Sequence, residues 1–237
     1  GKSVRLAIFS DIHGNWRALE AVLEDIQGRA DVVVCAGDLA WGGPFPERVV
    51  ERLQESGLPC VVGNTDLTVA HDDAPAYHPW ARWARARIEE RHRAFLSGLP
   101  LRHRVETPAG SVLVVHSTPD DPARALPHFS QEAALERLFG GAGSAVVVHG
   151  HDHRPSVTPL RRLTVVGTGS VGLPFDGDPR ACYALVTAQG DGFEVEHRRV
   201  AYDVEAAAAE AEQAGMPGAA RWGAAVRRGL PPDQVIV

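Results

Sequence analysis

The chain predicts an α/β fold, with parallel βαβ units in its first part and a more antiparallel strand set in its last. Three observations carry this prediction. Short apolar runs alternate with amphipathic helical patterns over residues 4–62. Strand-like runs dominate from about residue 163 onward. Polar motifs rich in Asp, His and Asn follow directly on the apolar runs, where open α/β sheets gather their functional groups.

The elements follow in order. "VRLAIF" (4–9) is a strand. Residues 15–28 are helical, with Trp16, Leu19, Val22, Leu23 and Ile26 on one face. "DVVVCA" (31–36) is the second strand, 46–57 a helix with Val49, Val50 and Leu53 inward, and "PCVV" (59–62) a third strand. Residues 66–79 read as a polar loop, leading to a helix from Pro79 whose apolar stripe is Trp80, Trp83, Ile88 and Phe95. Strands at 101–107 and 111–115 flank the turn "TPAGS", and a helix near 130–139 precedes the strand "AVVV" (145–148). Strands follow at 163–167, 181–188 and 192–200, the last two joined as a hairpin, and helices close the chain at 203–214 and 218–228. With no repeat and no break in composition, residues 1–237 read as a single domain.

Composition excludes several classes. A formal net charge of −6 gives no bulk basic field for long nucleic acid or an acidic membrane surface. No apolar run is long enough to span a bilayer. Cys35, Cys60 and Cys182 are odd in number and lie inside apolar runs, as expected of buried free thiols in a reducing cytoplasm. Lys2 is the only lysine and every other basic residue is Arg, which with the richness in Ala suggests a GC-rich bacterial genome. "GTGSVG" (167–172) matches a dinucleotide-binding pattern. The following "LPFDGDPR" cannot form the helix that such a site needs.

Five strand ends carry the chemistry. "SDIHGN" places Asp11 and His13 past the first strand, and "AGDL" places Asp38 past the second. "VVGNTD" brings Asn64 and Asp66, "LVVHSTP" brings His116, and "VVVHGHDH" brings His151 and His153. Imidazoles, carboxylates and one amide oxygen, with no thiolate, suit Mn, Fe or Zn rather than Ca. Seven ligands exceed what one transition metal with an open position uses, and suit two ions about 4 Å apart that share a carboxylate. Asp38 is the natural bridge, since its neighbour Gly37 lets the backbone turn sharply.

Asp-x-His, Gly-Asp, Gly-Asn, a lone His and Gly-His-x-His, in that order over residues 11–153, resemble the calcineurin-like metallophosphoesterase superfamily. The later stretch "VGTGSVGLPFDGDPRACYALV" resembles its small bacterial phosphodiesterase branch. The resemblance implies a four-layer α/β/β/α sandwich and a phosphohydrolase, either phosphodiesterase or phosphatase, acting on a small phosphoester. It implies two divalent cations, Mn²⁺ first, with Fe, Zn or Ni as alternatives. One would sit on Asp11, His13, Asp38 and His153, the other on Asp38, Asn64, His116 and His151, with a bridging hydroxide as nucleophile. Asp38, Asn64 and Asp66 are then the residues closest to catalysis, with Asp66 orienting a ligand or water. His149 is expected to pack rather than ligate, and Ser170 or Arg180 to touch a substrate phosphate.

"GNTD" departs from the pattern, because many members carry a His where this chain has Thr65. A threonine hydroxyl is a poor general acid at neutral pH. The acid then comes from His71 or His78 in the 66–79 loop, or the substrate brings a good leaving group, or turnover is slow. Two other functions stay open at this point. One is a non-catalytic metal-binding scaffold on the same fold. The other is an enzyme of nucleotides, cyclic or linear, with the same chemistry. The oligomeric state is not legible.

Overall fold

A computed structural model describes residues 3–72 and 78–237. Two sheets face one another. The first has the order β2-β1-β8-β9, from β1 (Val4–Phe9), β2 (Val32–Cys35), β8 (Ala181–Gln189) and β9 (Gly192–Val200). The second has the order β3-β4-β5-β7-β6, from β3 (Arg102–Thr107), β4 (Gly110–Val115), β5 (Val146–His149), β6 (Pro155–Pro159) and β7 (Thr164–Thr168). β1 and β2 run parallel, as do β4, β5 and β7. The hairpins β3–β4 and β8–β9, the β6–β7 pair and β1–β8 are antiparallel.

Strand periodicity explains why the layers stack. Successive side chains point to opposite faces. Leu6 and Ile8 of β1 therefore enter the apolar layer between the sheets, with Val34, Val112, Val114, Val146, Val148 and Val166. Ala7 and Phe9 turn the other way, onto helices α1 (Trp16–Ile26) and α2 (Pro46–Ser56) through Leu19, Val22, Val49 and Leu53. On the far side Leu113, Val115, Val147 and Val165 meet Leu135 and Phe139 of α6 (Glu132–Phe139). The result is the α/β/β/α sandwich, in which β5 is buried throughout while β3, β6 and β9 keep exposed positions. Helices α7 (Val204–Gln213) and α8 (Ala219–Arg228) bury Trp222 completely and pack on Leu173 and Phe175.

Four local readings need correction. Residues 59–62 are not a strand. Only Cys60 bridges to Cys35, because Pro59 has no N–H to give and a helix cap begins at Gly63. The first part of the expected 66–79 loop is helix α3 (Asn64–His71), and residues 73–77 lie outside the described residues. Asp66, at the third helical position, reaches back to the Gly63 N–H at 2.9 Å, which is half of a capping box and starts the helix. The helix from Pro79 is two, α4 (Pro79–Arg87) and α5 (Glu90–Ser97), broken where Ile88 adopts an extended conformation with ψ 149°. Strand β6 was not expected from the sequence, since its two prolines disguise it. They are tolerated because β6 is the last strand of its sheet.

Candidate functional site

The parallel strands bring their carboxyl ends to one edge of the sandwich. Asp11 and His13 follow β1, Asp38 follows β2, Asn64 opens α3, His116 follows β4, and His151 and His153 follow β5. Two groups form there. Asp11, His13 and His153 are one, and Asp38, His116 and His151 the other, and in each the potential ligand atoms lie within 4.8 Å of one another. Asp38 Oδ2 faces both. It is 3.6 Å from His13 Nε2 and 3.3 Å from His116 Nε2. Asn64 Oδ1 joins the second group, 3.0 Å from His116 Nε2 and 3.1 Å from His151 Nδ1. All seven residues singled out as candidate ligands are thus brought together.

The backbone around them is tightly built. Asp11, His13, Asp38, His151 and His153 all have positive φ, between 50° and 73°. Side chains other than Gly rarely adopt this region, and such strain gathers at functional sites. The ligand loops pack backbone against backbone. A Cβ on Gly63 would fall 2.0 Å from Asp38 Oδ1, and one on Gly150 2.4 Å from Asp11 Oδ2, so only glycine fits at either position.

The tautomers can be argued from the partners. His13 Nδ1 lies 2.6 Å from the Trp41 carbonyl, His153 Nδ1 2.6 Å from the Leu173 carbonyl, and His116 Nδ1 2.7 Å from the Ala36 carbonyl. A carbonyl only accepts, so each Nδ1 is the donor and each Nε2 carries a lone pair. Those lone pairs converge on acceptors. His13 Nε2 and His153 Nε2 are 3.1 Å apart, and Asp11 Oδ1, buried without a hydrogen-bond donor, is 3.1 Å from His153 Nε2. Such an arrangement repels itself unless a positive charge sits among the atoms. The electrostatics make the same demand. Burial would lower the His116 pKa, yet the Asp38 carboxylate outweighs it and lifts the imidazole to about 10, so with no cation in place Nε2 takes up a proton, and a bound cation would supply that positive charge instead. Burial would raise Asp38, yet His116 holds it at about 2. The donor set, its geometry and its demand for positive charge fit two divalent cations.

The remaining expectations divide. Asp66 is fully buried. Its Oδ2 accepts from Asp38 N–H and Gly63 N–H (2.9 Å each), and its Oδ1 from Leu39 N–H at 2.8 Å. Both oxygens being engaged by backbone, Asp66 positions the Asp38 loop and is not a catalytic residue in contact with substrate. Burial first, then the Asp38 charge, raises its pKa to about 6. Thr65 donates its N–H to Asp38 Oδ1 at 3.1 Å, while its hydroxyl is buried with no partner. His71 ends α3 and is exposed, seven residues and roughly 10 Å along the helix from Asn64, so it does not reach the cluster. His78 lies nearer, its ring 6.3 Å from that of Trp41. His149 has the strand phase of Val147 and stacks on Phe139, away from the cluster. Ser170 is committed to the loop, donating to Asp11 O and accepting from Leu173 N–H, and Arg180 is bound to Asp178, so neither is placed to hold a phosphate. "GTGSVG" runs from β7 into a loop rather than a helix, as a dinucleotide site would not. The carbonyls of Trp41, Ala36 and Leu173, which orient the imidazoles, carry no signal in sequence.

Comparison with known proteins agrees with this geometry. A model of the calcineurin-like phosphoesterase superfamily domain matches residues 4–191. An uncharacterised protein of Methanocaldococcus jannaschii is 28% identical over 223 residues, covering 85% of this chain and 89% of that one. A UDP-2,3-diacylglucosamine hydrolase of Ralstonia nicotianae is 32% identical over 111 residues, 44% of this chain and 40% of its own length. Among solved structures, a metallophosphoesterase from Sphaerobacter thermophilus superposes with a TM-score of 0.79 at 27% identity, covering 96% of this chain and all of that one. A hypothetical protein from Pyrococcus horikoshii shares the fold with a TM-score of 0.80 at 20% identity, over 90% of this chain and 94% of its own. The chain belongs to the calcineurin-like phosphoesterase superfamily.

Proposed function

We propose that this chain is a metal-dependent phosphohydrolase with a dinuclear site, acting on a small phosphoester. The observation that carries this reading is the convergence of imidazole lone pairs and buried carboxylate oxygens into two adjacent groups that share Asp38 Oδ2. Asp11, His13, Asp38 and His153 would hold one cation, and Asp38, Asn64, His116 and His151 the other, with Mn²⁺ the first choice for this donor set. When bound, such a pair of cations polarises the phosphoryl oxygens and makes water a nucleophile at neutral pH.

The chain's own residues do the positioning. The Trp41, Leu173 and Ala36 carbonyls fix the His13, His153 and His116 rings with Nε2 turned inward. His151 N–H holds Asp11 through Oδ2 at 2.9 Å, leaving Oδ1 for the site. Asp66 fixes the loop of Asp38 through three backbone N–H groups. No imidazole stands at position 65 to protonate a leaving group, so esters with good leaving groups are the expected substrates.

One domain spanning 1–237 carries this function, since α7 and α8 pack against Leu173 and Phe175 of the site loop. The three cysteines are buried and free, which supports a cytoplasmic setting. Among the described residues no helix is long and apolar enough to cross a membrane. The net charge of −6 favours small substrates over long nucleic acid. A non-catalytic scaffold on this fold would not need all seven donors; Thr65 is the one feature that leans towards it.

The test is hydrolysis of bis-p-nitrophenyl phosphate and p-nitrophenyl phosphate by chain loaded with Mn²⁺. The expected result is turnover that is lost in Asp38→Asn. Absence of turnover under any divalent loading would overturn the reading.

A further inference from the structure

The stretch "GTGSVG" (167–172) opens no dinucleotide site, yet its glycines have a use. The chain leaves β7 at Thr168 and runs along the backbone of residues 10–12 before it reaches β8. The Val171 N–H donates to the Ser10 carbonyl and the Gly172 N–H to the Asp11 carbonyl, at 3.0 Å each. A Cβ on Gly172 would fall 1.7 Å from the Ile12 carbonyl oxygen, and one on Gly169 (φ 74°) 2.8 Å from Cys182 Sγ. The glycines let two backbones meet.

Ser170 sits inside this contact and is fully buried. Its hydroxyl donates to the Asp11 carbonyl at 2.7 Å and accepts the Leu173 N–H at 2.8 Å. A hydroxyl has one proton to give, so the first bond fixes its direction and leaves a lone pair for the second. The two partners serve different ligands of the same group. Asp11 is itself a ligand, held at φ 56°. Leu173 presents the carbonyl that takes His153 Nδ1 at 2.6 Å and turns Nε2 inward. Two residues on, the Phe175 N–H donates to the His153 carbonyl at 3.3 Å, and the Phe175 ring stacks on the His153 ring at 4.1 Å. Among the described residues, no hydrogen bond joins residues 168–175 to Asp38, Asn64, His116 or His151.

We propose that Ser170 is a positioning residue for the Asp11–His13–His153 group. Its one buried hydroxyl ties the Asp11 segment to the Leu173 turn, and so keeps the Asp11 carboxylate and the His153 imidazole in register for one of the two cations. This rests on the two-cation reading above and goes beyond it by giving that cation a support of its own. Asp66 acts on Asp38, which both cations would share, whereas Ser170 acts on one side alone. Removing the hydroxyl leaves the buried Leu173 N–H without its acceptor, and the turn that carries the Leu173 carbonyl must shift to satisfy it. Supports of this kind are worth about 10- to 100-fold in metal affinity.

The test is calorimetry of Mn²⁺ binding to the full chain, with crystals grown at limiting Mn²⁺ to say which ion is affected. The wild type should take up two ions. In Ser170→Ala one ion should bind about 10- to 100-fold more weakly and the other as in the wild type. The anomalous peak among Asp11, His13 and His153 should weaken, and the peak among Asn64, His116 and His151 should stay. The EPR spectrum should change in parallel, from that of two coupled Mn²⁺ ions to that of an isolated one. If Ser170→Ala does not fold, Ser170→Cys keeps the shape, weakens both hydrogen bonds and should weaken the same ion. Equal losses at both ions, as a merely structural role would give, would overturn the assignment. So would unchanged affinities, or a loss confined to the other peak. A wild type that takes up no Mn²⁺ would overturn the cation reading and this assignment with it, so the two failures are distinct.

Discussion

At Asp11, His13, Asp38, His151 and His153 the backbone has positive φ, and each such residue costs of order 1 kcal/mol or more. Asp and His adopt this region more readily than most residues, so the same side chains that supply donors also tolerate the turns. Asp66 holds one of these turns in place. Replacing it with Asn removes one acceptor and leaves a buried N–H of Asp38, Gly63 or Leu39 unpaired. Asp66→Asn should lower Tm by about 2–10 °C. Calorimetry should show Mn²⁺ affinity falling by about 10- to 100-fold, since the residue acts through a ligand rather than as one. A drop in Tm with unchanged metal affinity would mean that Asp66 serves α3 alone.

Among the elements, α5 carries the clearest pH dependence. His92 is buried, and its Nδ1 accepts the Glu89 N–H at 3.1 Å, capping the helix. An imidazolium has no lone pair to accept with, and burial lowers the pKa of this ring below its usual value. With the folded pKa below the unfolded one, the contribution is fully present above about pH 6.5 and is lost as pH falls through the folded value. His92→Gln keeps an acceptor at this helix position and does not titrate. Tm measured from pH 7.5 to 5 should fall less steeply in this variant than in the wild type, and identical slopes would remove His92 as the cause. The elements also show what a sequence reveals. β1, β2, β4 and β5 were legible because each carries a run of three or more consecutive apolar residues ending at a polar motif. α3 was not, because its start depends on one Asp side chain reaching Gly63. β6 was hidden by Pro155 and Pro159, which only an edge position allows. The split at Ile88 follows from tertiary packing, which buries that side chain at the cost of the helix.

For the molecule as a whole, the sandwich brings residues more than 140 positions apart to one edge. This was readable in the sequence because each polar motif directly follows an apolar run. What was not readable is the support behind the ligands: three backbone carbonyls, the glycine contacts and the Phe175 ring stacked on His153, all set by packing between distant segments. The cost of that packing is a cluster of facing lone pairs, so bound cations should stabilise the fold broadly. Saturating Mn²⁺ at about 1,000 times Kd adds roughly 4 kcal/mol by mass action. Tm should therefore fall on chelation with EDTA and recover on adding Mn²⁺, and indifference to both would deny the cluster any role in holding metal.

The most direct measurement is anomalous scattering from crystals grown with Mn²⁺. Two peaks are expected on each chain, one among Asp11, His13 and His153 and one among Asn64, His116 and His151, with Asp38 between them. A single peak, or peaks away from these residues, would contradict it.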